Sequence, residues 1–321
     1  MRVGILTSGG DAPGMNACIR AVVRAAEGRG WEAIGIRHGF AGLLLGDLYP
    51  LDRAGIVNIV HRGGTILGTS RSPRMHDPDG RQEAISVLSA AGIDGMVLIG
   101  GDGTFHAAAL MEAEGGPPTV GIPGTIDNDI VGTEVTLGFD TAVNTALESI
   151  DRIRDTATSH ERLFFVEVMG RDCGAIALTS AIAGGAEALL VPEIETSDDD
   201  LAVHIEASFT AGKRAAIVVV AEGARPGGTS EVARYIADKL GLDCRVTILG
   251  HVQRGGSPSA ADRILGAVMG VEAIAALAEG EHGVFIGYRG GAPVRVPYNV
   301  GDGTRVELDA TLGRVAEVLE G

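Results

Sequence analysis

The residues best placed for chemistry lie in Gly121-Ile122-Pro123-Gly124-Thr125-Ile126-Asp127-Asn128-Asp129, where a hydroxyl, two carboxylates and an amide fall within five residues. Two acids that close repel, so one can be poised as a base or the pair can hold a cation. A polar Asx turn ahead of a helix would use the same side chains. Asp102 stands alone among glycines in Gly100-Gly101-Asp102-Gly103-Thr104. Glycines there allow a phosphate to approach the backbone, and a lone carboxylate can hold Mg²⁺ directly or through water. Arginines and hydroxyls, the donors a phosphate needs, gather in the 62–74 stretch (Arg62, Arg71, Ser72, Arg74), and Arg171 follows Met169-Gly170. These are parts for phosphoryl transfer, which needs positioning, charge neutralisation and a base for the acceptor hydroxyl. Asp127 or Asp129 can serve as the base and Asp102 as the metal anchor. Arg71 and Arg171 would neutralise phosphoryl charge, and Thr125 could donate to a transferred oxygen. No Cys/His/Asp or Ser/His set points to covalent nucleophilic catalysis.

The elements that must position these residues alternate between strand and helix. Val3–Thr7 reads as a buried parallel strand, Ser8–Gly14 as a glycine-rich turn and Met15–Glu27 as a helix. That order can cradle phosphate on backbone N–H groups and a helix N-terminus. It is not a P-loop, because the closing Gly-Lys-Ser/Thr is absent, and Pro13 and the spacing exclude a dinucleotide fingerprint. Tight packing alone can also call for such a turn. A strand over Trp31–Arg37 leads to His38–Gly42, where Phe40 could cover an adenine ring or simply pack. A further apolar segment spans Ile56–His61, and the 62–74 stretch that follows could also be a flexible solvated loop. Arg81–Ala91 reads as a helix, Gly95–Ile99 as an apolar strand before the Asp102 turn, and Pro118–Ile122 as the strand stopped by Pro123-Gly124. Asp140–Ser159 is helical in period, and a second α/β unit begins near Phe139. Its strands are Leu163–Val168, ending at Met169–Gly174, then Ala215–Ala221, ending at Glu222-Gly223, then Arg245–Gly250, ending at His251–Gly256. The acids from Glu193 to Asp200 precede a helix, which its dipole explains without function.

This alternation predicts an α/β protein with mostly parallel, doubly wound sheets. Gly9, Asp11, Arg71, Asp102, Asp127, Asp129, Arg171, Glu222, His251 and Arg254 all follow strands, so the topology should gather them at one sheet edge or inter-domain cleft.

Composition bounds the rest. A chain of 321 residues, 45% hydrophobic and 21% charged, is globular and long enough for about two domains. Its 49 glycines are scattered among apolar runs, which suits tight strand-to-helix turns rather than disorder. The formal charge of −16 argues against nucleic-acid and anionic-membrane partners. Cys18, Cys173 and Cys244 show no CxxC spacing, which points to a reduced, cytoplasmic compartment and no zinc site. The N-terminus reads directly as a strand, with no signal peptide, and no apolar run has the length of a membrane span.

Five stretches together resemble the bacterial ATP-dependent 6-phosphofructokinase family, in the family's order. They are Leu6–Ala17, Gly100–Thr104, Pro123–Asp129, Met169-Gly170-Arg171 and His251–Gly256. The resemblance runs from Val3 to about Gly270 and is loose beyond it. It implies transfer of the ATP γ-phosphoryl to the 1-hydroxyl of fructose 6-phosphate, the committed step of glycolysis, with Asp127 as base and Thr125, Asp129 and Arg171 beside it. Gly9, Arg71, Ser72, Gly101, Asp102, Gly103 and Thr104 match the ATP site, with Asp102 at the Mg²⁺ position. Thr125, Asp127, Met169, Gly170, Arg171, Glu222, His251 and Arg254 match sugar-phosphate contacts. Arg162 and Arg245 match arginines that reach into a neighbour's active site, so the resemblance implies a homotetramer with shared sites. It also implies two discontinuous, Rossmann-like domains with the active site in the cleft between them. Residues 1–138 with 252–304 would bind nucleotide, and 139–251 with 305–321 would bind sugar phosphate.

Arg20, Arg24, Arg53, Arg154, Glu187 and Lys213 match an inter-subunit effector site for ADP or phosphoenolpyruvate. The family's Lys-Gly-Lys-Lys-His segment departs here to Ala211-Gly212-Lys213-Arg214-Ala215, and the loss of two potentially cationic side chains should weaken anion binding. Gly-Gly-Asp-Gly-Thr also occurs in NAD kinases and lipid kinases, but the Met169, Glu222 and His251 groups discriminate against them. A catalytically silent nucleotide sensor would lack a base or metal residue, and both Asp127 and Asp102 are present. Pyrophosphate-dependent relatives carry Asp at the Gly103 position and Lys at the Gly124 position. An acid at 103 would crowd and repel the ATP α-phosphate, so both glycines indicate ATP. Gly103→Asp is therefore expected to cut ATP turnover sharply in a steady-state assay; undiminished turnover would count against ATP as donor.

Overall fold

A computed structural model describes residues 1–160, 162–301 and 304–320. In chain order its elements begin with β1 (Arg2–Thr7), α1 (Met15–Gly28), β2 (Glu32–Ile36), α2 (Gly39–Leu44), β3 (Leu48–Pro50), α3 (Pro78–Ala90), β4 (Gly95–Gly100), α4 (Asp102–Ala113) and β5 (Thr119–Pro123). There follow α5 (Phe139–His160), β6 (Leu163–Val168), α6 (Ala175–Gly184), β7 (Ala188–Leu190), α7 (Asp198–Thr210), β8 (Ala216–Ala221), α8 (Thr229–Leu240) and β9 (Cys244–Ile248). The chain closes with α9 (Ala260–Glu279), β10 (Val284–Arg289), β11 (Ala292–Pro297) and α10 (Ala310–Glu320). Short 3₁₀ turns cover Pro73–His76, Gly250–Arg254 and Tyr298–Gly301. Two compact units result. One comprises Met1–Ile126, Ile130–Asp140 and Arg254–Arg305; the other comprises Asp127–Asp129, Thr141–Gln253 and Val306–Gly321.

The first unit holds a seven-stranded sheet in the order β11-β10-β5-β4-β1-β2-β3. The five inner strands run parallel, and only the two edge strands, β3 and β11, are antiparallel. β1 is an inner strand beside the central β4, with Val3 opposite Ala33 on β2 and Gly95 on β4. Its continuous apolar sequence follows from burial on both faces, where alternation would leave a polar face without water. On one face α1 and α9 lie close together because Gly266 and Gly270 have no side chain to separate them. A Cβ at Gly270 would stand 2.9 Å from the Cys18 carbonyl and the Ala21 Cβ. The other face is filled by Leu6, Ile36, Leu88, Met96, Leu98, Met111 and three aromatics. Phe105 of α4 stacks on Phe285 of β10 at 5.1 Å between centroids and on Tyr298 at 5.5 Å. Gly121 of β5 leaves room for this stack, since a Cβ there would be 2.5 Å from the Phe105 ring.

The second unit holds a four-stranded parallel sheet in the order β7-β8-β6-β9. Phe165, Leu190, Leu201, Ile205, Val218, Val220, Val232 and Ile236 form its core beneath α7 and α8. Ser197 caps α7 by accepting from the Asp200 N–H at 3.0 Å, so the acids after it complement the helix dipole.

Most sequence-derived elements fall within a residue or two of these bounds. The apolar Ile56–His61 segment forms turns, and β3 and the β10–β11 hairpin have no counterpart in the periodic pattern. Phe40 lies on α2, 3% exposed, and packs in the core with Leu43 and Met75. It is therefore a packing residue and covers no ligand ring. Among the described residues no helix is long and apolar enough to cross a membrane. Phe105→Ala is expected to cost about 3–5 kcal/mol, read as a lower urea midpoint, because a stacked and fully buried ring leaves a cavity that strands cannot collapse to fill.

Candidate functional site

The carboxyl edge of the first unit's sheet is stitched together strand by strand. Ser8 N–H donates to the Ile99 carbonyl and Gly124 N–H to the Gly100 carbonyl, each at 3.0 Å. The glycine turn, the Asp102 turn and the Thr125 segment thus leave adjacent strands at one level. The 62–74 stretch is pinned rather than loose. Asn16 Nδ2 donates to the carbonyls of Arg62 and Gly63, and Asn16 Oδ1 accepts from Ile66 N–H at 2.8 Å. Thr7 donates to the Gly68 carbonyl at 2.8 Å, and Thr69 donates to the Gly9 carbonyl at 2.8 Å. Beyond it, the 4% exposed Arg81 donates to the Met75 and His76 carbonyls at 2.9 Å and pairs with Glu114 at 2.6 Å. The partner also raises the Arg81 pKa and lowers that of Glu114 through their mutual hydrogen bond.

On this frame Arg71 is exposed and Ser72 half-buried, while Asp102 and Gly103 are exposed in the first turn of α4 and Thr104 is buried. A Cβ at Gly103 would meet nothing within 4 Å, so the protein itself leaves that position open. Gly124 is the opposite case: a Cβ there would lie 2.9 Å from Ile99 and 3.0 Å from Met15. Arg254 donates to the Asp11 carbonyl at 3.4 Å, and Gly10 lacks the Cβ that would collide with its guanidinium. Asp102 offers one hard oxygen donor group. Among the described residues no cluster of three acidic or His/Cys ligands forms a cage. That donor set suits Mg²⁺ bound with phosphates, because Mg²⁺ keeps several waters and takes one or two carboxylates.

The Thr125–Asp129 segment is held from behind. Thr136, fully buried, donates to the Thr125 carbonyl at 2.7 Å, and Leu137 N–H donates to the Pro123 carbonyl at 2.8 Å. Asp262 then accepts from Gly138 N–H at 2.7 Å. Asn128 turns the chain at φ 55°, a left-handed conformation that Asn tolerates better than most residues. Asp127 is 2% exposed, and Arg171 Nε lies 3.4 Å from its Oδ2.

Asp127, Asp129 and the carboxyl edge of the second sheet belong to one unit. Met169 and Gly170 are buried, Glu222 is half-buried, and Arg171 and His251 are exposed. Glu222 Oε1 accepts from Gly170 N–H at 3.3 Å and from Arg171 N–H at 2.8 Å. Gln253 Oε1 accepts from Met169 N–H at 2.9 Å, and Glu193 accepts from Gly174 N–H at 2.8 Å. Arg162 and Arg245 share one carboxylate: Asp243 lies 2.7 Å from Arg162 Nε and 2.9 Å from Arg245 Nη1.

The six residues matched to an effector site fall into two groups. Arg20, Arg24 and Arg53 line a cavity of about 400 Å³ in the first unit with Ile56, Val57, Asn58 and Val60. In the second unit the buried Glu187 lies 3.5 Å from both Arg154 and Lys213, and Ile217 N–H donates to it at 2.7 Å. Sequence reasoning missed Thr136, Glu193, Asp243 and Gln253 as supporting residues. Gln253 lay inside a recognised motif and Asp243 stands two residues before Arg245, whereas Thr136 and Glu193 have partners 11 and 19 residues away and no local signal.

Doubly wound parallel sheets carrying glycine turns, exposed arginines and carboxylates on their carboxyl edges define a phosphate-handling α/β protein. The phosphofructokinase family profile matches residues 2–277, and the chain belongs to that family. It is 53% identical over 318 residues to the ATP-dependent 6-phosphofructokinase 1 of Thermus thermophilus, covering 99% of each chain. Phosphofructokinase from Saccharomyces cerevisiae superposes with a TM-score of 0.87 at 35% identity, over 99% of this chain and 46% of that one. This chain thus spans a little under half of the yeast chain. A pyrophosphate-dependent phosphofructokinase from Marinobacter aquaeolei shares the fold, with a TM-score of 0.84 at 21% identity.

Cys173 lies in the Met169–Gly174 loop, 5% exposed. Burial chiefly pushes its thiol up to about 11; a hydrogen bond with the Ala175 backbone opposes this, and Glu193, Asp129 and Asp127 add to it. Since the thiolate is the reactive form, alkylation of Cys173 is expected to be very slow at neutral pH and to rise steadily as pH approaches 11. Mass-resolved labelling against pH checks this; rapid modification at pH 7 would contradict it.

Proposed function

We propose that this chain transfers the γ-phosphoryl group of ATP to the 1-hydroxyl of fructose 6-phosphate, giving fructose 1,6-bisphosphate and ADP. The observation that carries the reading is Asp127: a carboxylate 2% exposed, beside a guanidinium, on a turn braced by buried hydrogen bonds. In the reaction Asp127 takes the proton of the acceptor hydroxyl as its oxygen forms the new bond to phosphorus and the bond to ADP breaks. Arg171 offers a fixed cation to the transferred group, Thr125 a hydroxyl donor, and Asp129 a second carboxylate beside the base. Gly9, Arg71, Ser72 and Gly101–Thr104 would hold ATP on the first unit, with Asp102 holding Mg²⁺. When bound, Mg²⁺ neutralises phosphoryl charge. Met169, Gly170, Arg171, Glu222, His251 and Arg254 would contact the sugar phosphate. On this reading the first unit is the nucleotide-binding domain and the second the sugar-phosphate domain.

The active form is a cytoplasmic homotetramer in which Arg162 and Arg245 serve a neighbouring subunit's substrate. β9 supports this: among the described strands it pairs with β6 alone, and Val246 and Ile248 on it and Val252 just beyond are exposed, Val252 to 61%. An open edge with apolar side chains invites a protein partner. Arg20, Arg24, Arg53, Arg154, Glu187 and Lys213 would serve inter-subunit effector sites for anions such as ADP or phosphoenolpyruvate.

The test is a coupled assay with purified protein, fructose 6-phosphate, Mg²⁺ and either ATP or pyrophosphate. Turnover is expected with ATP, lost on chelation of Mg²⁺, and absent or far weaker with pyrophosphate. No product with either donor would sink the reading. In the same assay ADP or phosphoenolpyruvate should shift the sugar-phosphate saturation curve; insensitivity to both would mark the effector site as vestigial.

A further inference from the structure

The six residues between β6 and α6 make an unusual turn. Gly170 has φ 140° and Arg171 has φ 52°, so a bulky non-glycine residue sits in the left-handed region next to a glycine that also has positive φ. Such a backbone persists only where its surroundings over-determine it. Here three consecutive N–H groups are held by side chains from outside the loop. Gly170 and Arg171 donate to Glu222 at the end of β8, and Met169 donates to Gln253 beyond β9. β8 and β9 flank β6 on its two sides, so the loop is braced from both neighbouring strands. Gly223 completes the fit, since a Cβ there would collide with the Arg171 carbonyl.

Gln253 is fully buried, so it acts through the loop and touches no substrate. Its orientation is settled by its partner: a backbone N–H can only donate, so the amide oxygen faces Met169. Its Nε2 group has no hydrogen-bond partner among the described residues. An amide buried with half its capacity unused is a poor choice for stability, and a well-packed apolar side chain would serve the core better. What the amide provides is one acceptor at the first residue of the loop that sets Arg171.

We infer that Gln253 is a positioning residue for the reaction: its amide oxygen locks the Met169 backbone, and with Glu222 it fixes Arg171 beside Asp127. The inference rests on the phosphoryl-transfer reading only for its kinetic consequence. Gln253→Met keeps length and apolar volume but offers Met169 no oxygen acceptor. It is expected to lower kcat/KM for fructose 6-phosphate about tenfold or more, while KM for ATP stays within about twofold, because the displaced group is Arg171 and not the nucleotide loops. Gln253→Glu keeps an oxygen for the Met169 N–H and is expected to recover most of that loss. A general packing role would instead move both KM values together and show no recovery by Glu. Unchanged kinetics in Gln253→Met, or equal damage in both variants, overturns the inference.

Amide hydrogen exchange on the unmodified protein tests the brace without variants or turnover. The Met169 N–H should be strongly protected although it lies in a loop. Exchange at the rate of an open loop overturns the inference whether or not the chain is active. Protection without turnover for either donor would instead leave the brace standing and refute the reaction assigned above.

Discussion

A carboxylate placed almost wholly out of water is costly unless a cation and hydrogen bonds compensate it. Asp127 is in that position, and Arg171 Nε stands 3.4 Å away. Because the Arg171 side chain is 52% exposed, solvent weakens the pair, so geometry has to be supplied by the backbone rather than by attraction. That requirement accounts for much of the surrounding design. Arg171 sits at positive φ, its loop is tied to Glu222 and Gln253, and Thr136 holds the segment leading into Asp127.

On the proposed reading the first unit solves a different problem. Phosphates carry their own charge, so what they need is close access to N–H groups and a few arginines. Glycines provide the access, but they act in two ways. Gly103 faces open space, so its missing side chain is room left for something other than protein. Gly10 and Gly124 face protein, and their missing side chains let Arg254 and the β4–β5 ends close up. A side chain at 103 could therefore be accommodated by the fold, whereas one at 124 would strain the sheet edge itself.

The arginines outside these sites are organised by acidic partners. Asp243 gathers Arg162 and Arg245 onto one carboxylate, and Glu187 gathers Arg154 and Lys213. In a chain of formal charge −16, such pairing keeps cations ordered and available to an incoming anion without creating a broad positive surface. The retained Lys213 still reaches Glu187 despite the alanines at 211 and 215.

The amino-acid sequence by itself determined the alternation of strand and helix, the parallel sheets and the residues that end each strand. These follow from local patterns: apolar runs buried on both faces, glycine turns, and acids or hydroxyls just past a stop. It also carried the motifs that mark the family, including Asp102, Asp127 and Arg171. It left Phe40 undecided between a ring cover and a core residue, because an aromatic beside glycines suits either role until its neighbours are known. Edge strands β3 and β11 escaped notice because short antiparallel edges lack the continuous apolar signal of inner strands. Only the tertiary structure decided that Asn16 would pin the 62–74 stretch, that Thr136 would support Thr125, and that Gln253 would hold Met169. Those partners are 46, 11 and 84 residues apart, and hydrogen bonds across such distances leave no period in the sequence to read.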